Sequence, residues 1–255
     1  MNKLGVESII FNICGKNKDM NSHPFSADMK LADVIHADYS LLLLLHRFGI
    51  NLGFGDKTVR ECCEANHVSC TLFLMICNVY SNEQYLPTEK EIEGIGANVD
   101  QLIAYLKNSH SYFLDFCLPA IRRKLIEAID CSQDGVAILI LKFYDEYVHE
   151  VRRHMEYEDN MVFGYVSSLL EGKKKTDYNI LVFARKHNQI ETKLTELKNI
   201  IIKYYPAEKS NNSLNSVLFD IYSCEQDLAS HCNLEDLLFV PAVAQLEKNF
   251  EKNEK

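Results

Sequence analysis

Residues 154–166 read HMEYEDNMVFGYV, and residues 231–243 read HCNLEDLLFVPAV, with His, Glu, Asp and the closing Val in the same places and Gly164 exchanged for Pro241. The step from His154 to His231 is the same length as the step from His110 to His187, so the set His110, His154, Glu158 returns as His187, His231, Glu235. A helical hairpin duplicated in tandem accounts for both spacings. His at i and Glu at i+4 leave one face of a helix a turn apart, close enough to grip one ion. A single such pair means little, because nine His among 255 residues meet a Glu at that spacing about 0.7 times by chance. Three occur, at 154/158, 187/191 and 231/235, and two of them belong to the repeat.

Outward from these stretches lie four apolar-periodic segments, about 99–130, 135–171, 178–204 and 212–250. They are separated by CSQDG, GKKKTD and YPAEKSNNS, which are turn or solvated text. Strand signals are nearly absent. Four helices with short connections form antiparallel neighbours, so the expected fold is all-α, an up-down-up-down four-helix bundle over 99–255. Pro119, Gly164 and Pro241 are expected to kink their helices. In each hairpin the turn falls near the midpoint between the two histidines, which places both at one height. The connection from His154 to His187 is less even.

Four imidazoles and two carboxylates exceed the needs of one tetrahedral zinc, whereas two metals bridged by both glutamates would each receive two His and two carboxylate oxygens. Imidazole with carboxylate suits iron, with Mn and Zn as competitors that ligand identity does not separate. The ExxH pattern of ferritin-like carboxylate proteins is missing. Glu191 shares a face with His187 but corresponds to Leu114 in the first copy, so it is assigned a role other than ligand. His149 points about 140° away from His154 and is read as a surface or packing residue.

Ahead of the bundle, 1–28 is read as an irregular arm, 29–80 as a small helical domain and 81–98 as a linker. In the small domain Gly53 and Gly55 are expected to take positive φ between helices. Cys63, Cys70 and Cys77 recur every seven residues and are read mainly as buried core thiols on one stripe. The net charge of −9 argues against a nucleic-acid partner. Nine cysteines without CxxC pairs suit a reduced compartment, and the LLLLL run at 41–45 is too short to span a bilayer, so a cytoplasmic protein without a membrane partner is expected.

The order His, HxxxE, His, HxxxE on four helices, behind a small helical domain carrying LADVI and FGI, resembles the hemerythrin-like di-iron proteins of the repair-of-iron-centres family. The resemblance spans about 30–250. It implies two non-haem Fe ions, oxo- or hydroxo-bridged, held by His110, His154, Glu158, His187, His231 and Glu235, with the two Glu bridging. It also implies a cytoplasmic role in recovering iron–sulfur clusters damaged by nitric oxide or peroxide. The partners would be damaged iron–sulfur proteins or the gases NO and O2, and a homodimer is compatible with the family. The same first shell also suits an O2- or NO-binding sensing module. One departure stands out: GINLGFGDK occupies the place of the family's CCGG-type turn, so Gly53 and Phe54 stand where paired thiols would be.

Overall fold

A computed structural model of the chain describes residues 25–82, 84–129, 135–173, 178–184, 191–205 and 211–253. His187, and the arm up to residue 24, lie outside the described residues. The chain divides into two compact units, 1–85 and 86–255.

In the first unit the described helices are α1 (Leu31–Ala37), α2 (Leu42–Arg47), α3 (Val59–Ala65) and α4 (Cys70–Ser81). The apolar stretch from Leu31 to Ile50 does not run as one helix. Asp38 is extended, its carboxylate accepts from Ser40 N at 3.0 Å, and a short 3-10 turn at Tyr39–Leu41 intervenes before α2. This is the behaviour of an Asp that bonds nearby backbone in preference to continuing a helix. Thr58 and Glu61 close a capping box on α3, with Thr58 N donating to Glu61 Oε2 at 2.8 Å. Gly53 and Gly55 take φ of +91° and +64°, as the turn between α2 and α3 requires. Residues 25–28, expected as part of the arm, pack onto this unit: Phe25 N donates to Asn78 Oδ1, and Arg60 N donates to Ala27 O. Because α3 and α4 are separate helices, the three cysteines do not form one helical stripe. Cys63 and Cys77 are nonetheless buried, and the Cys63 and Cys70 thiols interact across the α3–α4 corner.

The second unit begins with a difference from expectation. Within the stretch read as linker, Glu89–Ile95 forms a helix, α5, opened by a second capping box in which Thr88 N donates to Glu91 Oε2 at 2.8 Å. Its Ile92 and Ile95 are buried, and it packs on the C-terminal helix of the same unit.

The bundle follows. Its first rod is α6 (Val99–Ser111) and α7 (Leu118–Ala128); the second is α8 (Gly135–Tyr157) and α9 (Phe163–Leu170); the third shows α10 (Ile180–Ala184) and α11 (Glu191–Tyr204); the fourth is α12 (Asn211–Leu234) and α13 (Val240–Asn253). The segments match the periodic ones in the sequence to within a few residues. α7 packs on α8 and α12, and α11 packs on α8 and α12, giving the expected cyclic order. Among the described residues there is no strand beyond an isolated bridge between Lys30 and Thr58, and the fold is an all-α bundle with N-terminal helices.

A shared core joins Leu118, Ile121 and Leu125 to Ile140, Tyr144, Tyr147, Leu197, Val217 and Ile221. Each such side chain contributes roughly 1.5–3 kcal/mol when fully buried. Tyr144, wholly buried, donates to Leu118 O at 2.8 Å and fixes the first rod against the second.

At the expected kinks the backbone adopts π turns. They occupy Tyr112–Cys117, Glu158–Val162 and Glu235–Phe239, and each closes with an i→i−5 bond: Leu118 N–H to Phe113 O, Phe163 N–H to Glu158 O, and Val240 N–H to Glu235 O. The last two stand at equivalent places in the two copies, so the duplication extends to backbone irregularity. Pro119 and Pro241 lack an N–H and favour such a turn just upstream. Gly164 keeps its N–H, so proline is not the general cause; the feature common to the 158 and 235 turns is the Glu that opens each. A π turn inside an α-helix frequently marks a functional position.

Candidate metal centre

The first π turn begins two residues after His110, and the others begin at Glu158 and Glu235. Helices from three rods therefore deliver polar side chains to mid-bundle. One donor atom each from His110, Glu158, His231 and Glu235 lies within 4.8 Å of all the others, and all four residues are buried. His110 Nε2 stands 3.3 Å from His231 Nε2 and 3.2 Å from Glu158 Oε2. His231 Nε2 is 3.4 Å from Glu235 Oε1. His154, on α8 one turn before Glu158, places Nε2 at 2.7 Å from Glu158 Oε1 and is partly exposed.

Five of the six residues singled out by the sequence thus converge in space; the sixth, His187, lies outside the described residues, as does the side chain of Glu191. His149 is exposed, in line with its reading as a surface residue.

A residue that the sequence reading passed over completes the arrangement. Asp159 Oδ1 lies 3.0 Å from His110 Nδ1, so the carboxylate accepts from Nδ1–H and leaves Nε2 aimed at the cluster. A carboxylate behind a metal-facing imidazole fixes its tautomer and ring direction and raises its basicity. The signal was available: Asp follows Glu in both copies, as Asp159 and Asp236.

The donor set fits a cation. Two imidazole nitrogens facing each other across 3.3 Å, flanked by two buried carboxylates, concentrate lone pairs in low dielectric. Such a grouping is costly unless a positive charge sits among them. A proton on His110 can supply that charge. Burial works against an imidazolium there, yet the hydrogen bonds that His110 donates to Asp159 and Glu158 and the charges of Glu158 and Glu235 prevail and hold it up at about 9.

The walls are apolar. Phe163 stacks on His110 at 5.7 Å, Phe113 meets His231 edge-on at 5.8 Å, and Phe163 meets Phe239 at 5.4 Å. A small cavity of about 20 Å³ is bordered by His154, His231, Val151, Leu194 and Cys232. It has room for a water or a diatomic gas beside the cluster. Among the described residues no helix is long and apolar enough to cross a membrane.

The doubled HxxxE, the four rods and the buried His/Glu cluster are compatible with a bundle that binds metal, and comparison with known proteins agrees. No curated protein matches the chain. Residues 101–243, more than half of the chain and all of the segment that carries these side chains, match the model of the hemerythrin HHE cation binding domain. This chain therefore belongs to the hemerythrin HHE cation-binding family.

Proposed function

We propose that the chain is a non-haem di-iron protein that restores iron–sulfur clusters damaged by nitrosative or oxidative stress. The observation that carries the metal reading is the convergence of His110, Glu158, His231 and Glu235 within 4.8 Å, with His154 on the flank of Glu158. His187, the counterpart of His110 in the repeat, completes the set of six. His110, His154, His187 and His231 would each give one imidazole nitrogen, and Glu158 and Glu235 would each give two oxygens, enough for a pair of ions. When bound, iron would supply reversible one-electron redox chemistry and an attachment point for NO or O2. Asp159 holds the His110 ring so that Nε2 faces inward, and Phe113, Phe163 and Phe239 keep bulk water from that side of the site.

Support for repair, as against simple metal binding, comes from the combination of this bundle with a separate N-terminal helical unit, the arrangement that resembles the repair-of-iron-centres proteins. The absence of paired thiols at Gly53 and Phe54 removes any route through cysteines at that turn. The described thiols of that unit do not replace them: burial pushes Cys62, Cys63, Cys70 and Cys77 up, away from the reactive thiolate.

The test has two parts. Protein prepared without metal and then titrated anaerobically with ferrous ion is expected to retain two Fe per chain, with near-ultraviolet charge-transfer absorption on oxidation. Glu235→Gln is expected to lower the stoichiometry. Loaded protein is then expected to speed recovery of a nitrosylated iron–sulfur enzyme beyond the same concentration of free ferrous ion. Retention of fewer than two Fe under all conditions defeats the di-iron reading. Full loading without faster recovery defeats repair alone.

The cavity beside His154 and His231 favours a second reading, a module that binds O2 or NO reversibly and signals occupancy. A reversible spectral change on gas exposure, without turnover or iron loss, would select it over repair.

A further inference from the structure

The antiparallel register that brings His110 to His231 has a second consequence two turns away. Seven residues further along the first rod is Cys117; seven residues back along the fourth is Cys224. Seven helical residues rise about 10 Å, and the two rods run in opposite directions, so the second pair should meet as the first does. It does: Cys117 packs against the core cluster that contains Cys224, and the two thiols interact. Further along, the same pairing continues as Lys124 to Asp220 at 2.6 Å. Cys117 closes the first π turn and is partly exposed, whereas Cys224 is buried in the core.

We propose that Cys117 and Cys224 form a peroxide-oxidisable dithiol that closes to a disulfide between the first and fourth rods, with Cys117 as the attacking thiol and Cys224 as the resolving one. The division of roles follows from position. Of the two, only Cys117 has a face open to a small oxidant, and Cys224 lies behind it in the core. The electrostatics agree in direction. The bond from Cys224 lowers the Cys117 thiol below its ordinary value, and Tyr112 adds a smaller push in that sense; burial and the charges of Asp227 and Asp220 oppose it without prevailing. A stabilised thiolate beside a second thiol is the arrangement that oxidises selectively.

The chemistry balances with hydrogen peroxide as oxidant. The Cys117 thiolate attacks one peroxide oxygen, the O–O bond breaks, and the departing hydroxide takes up a proton to leave as water, giving a sulfenic acid at Cys117. The Cys224 sulfur then attacks the Cys117 sulfur, the S–O bond breaks, and hydroxide takes the Cys224 proton and leaves as a second water. Two thiols and one peroxide become one disulfide and two waters. A covalent S–S bond is far shorter than any contact between unbonded sulfurs, so closure draws α7 toward α12 two turns from the His110–His231 pair.

The chain supplies its own comparison. Cys63 and Cys70 also interact as a thiol pair, but burial pushes both thiols up, so peroxide should reach them later.

The experiment uses the full chain, reduced, freed of metal and kept in chelator, so that iron-driven oxidation is removed and the outcome is independent of the di-iron reading. After one equivalent of hydrogen peroxide, thiols are blocked with N-ethylmaleimide and the peptides are mapped by mass spectrometry. A Cys117–Cys224 disulfide is expected before any at Cys63–Cys70. In Cys224→Ser a dimedone adduct should accumulate at Cys117. In Cys117→Ser oxidation of Cys224 should slow by about tenfold or more. The proposal is overturned if Cys117 and Cys224 stay alkylatable in the wild-type chain while other cysteines oxidise, or if Cys117→Ser leaves the oxidation of Cys224 unchanged.

Discussion

Replacing Asp159 by Asn should weaken metal binding without unfolding the protein, and the size of the effect follows from its place in the bundle. The carboxylate accepts from His110 Nδ1 at 3.0 Å. Asparagine keeps the shape and one acceptor oxygen but loses the charge, and a charge-assisted bond is about twice as strong as a neutral one. Removing a carboxylate that orients a metal-facing imidazole costs roughly 10–100-fold in affinity, or about 1.4–2.7 kcal/mol. The Asp159 side chain is 35% exposed, so water screens part of its charge and the lower end, about tenfold, is expected. The assay is competition for ferrous ion against a chromophoric chelator, anaerobic and at fixed pH, with far-ultraviolet circular dichroism as the folding control. Because Asp236 follows Glu235 as Asp159 follows Glu158, Asp236→Asn should produce a loss of similar size, and the two together should exceed either alone. If Asp159→Asn binds iron within twofold of the wild type, the carboxylate does not support the ligand and the argument fails.

Other expectations are independent of metal. Gly164 has ordinary helical φ, and a Cβ there would meet nothing within 4 Å, so Gly164→Ala should raise stability by up to about 1 kcal/mol; a loss in thermal unfolding would show that a bend at Gly164 is required after all. Thr88→Ala removes the capping box of α5 and should cost about 0.5–2 kcal/mol, read as faster amide exchange over 89–95. Tyr144→Phe takes the donor from Leu118 O inside the core and should cost about 1–2 kcal/mol, a fall of a few degrees in Tm. Arg122 donates to both carboxylate oxygens of Asp145, at 2.7 and 2.9 Å, and this bond holds the Asp145 carboxyl below its usual range. Its stabilisation is present above the unfolded carboxyl value near 4 and is lost as pH falls through the lower folded value. Both side chains are nearly half exposed, so Arg122→Ala should cost less than about 1 kcal/mol near neutral pH and nothing in strong acid.

The four rods were legible because a core-facing helix must place an apolar residue every three or four positions, and breaks such as CSQDG interrupt that period with residues that favour turns. The cluster was legible through repetition: no single His/Glu pair was informative, but the same three side chains returning at one fixed offset were. What escaped reading was local and geometric. Pro119 and Pro241 announce that an α-helix cannot continue normally, yet a kink and a π turn begin from the same missing N–H, and Gly164 carries no sign of either. Asp38 splits α1 from α2 by a side-chain bond that competes with neighbouring apolar periodicity. The helix at 89–95 offers few apolar anchors, and only the Thr88–Glu91 cap, a four-residue pattern, betrays it. The repeat marks Asp159, since Asp follows Glu in both copies, but its role does not show in the sequence because its partner, His110, lies on another rod.

The π turns at Glu158 and Glu235 also leave slack in the chain. A π turn is an α-helix with one residue too many, so deleting one residue between 159 and 162, or between 236 and 239, would restore ordinary winding while the helix on either side keeps its facing. Elsewhere in a buried rod the same deletion would rotate everything beyond it by about 100° and turn the core outward. The bundle should thus survive a shortening beside its most chemically demanding residues that it would not survive between them and the rod ends.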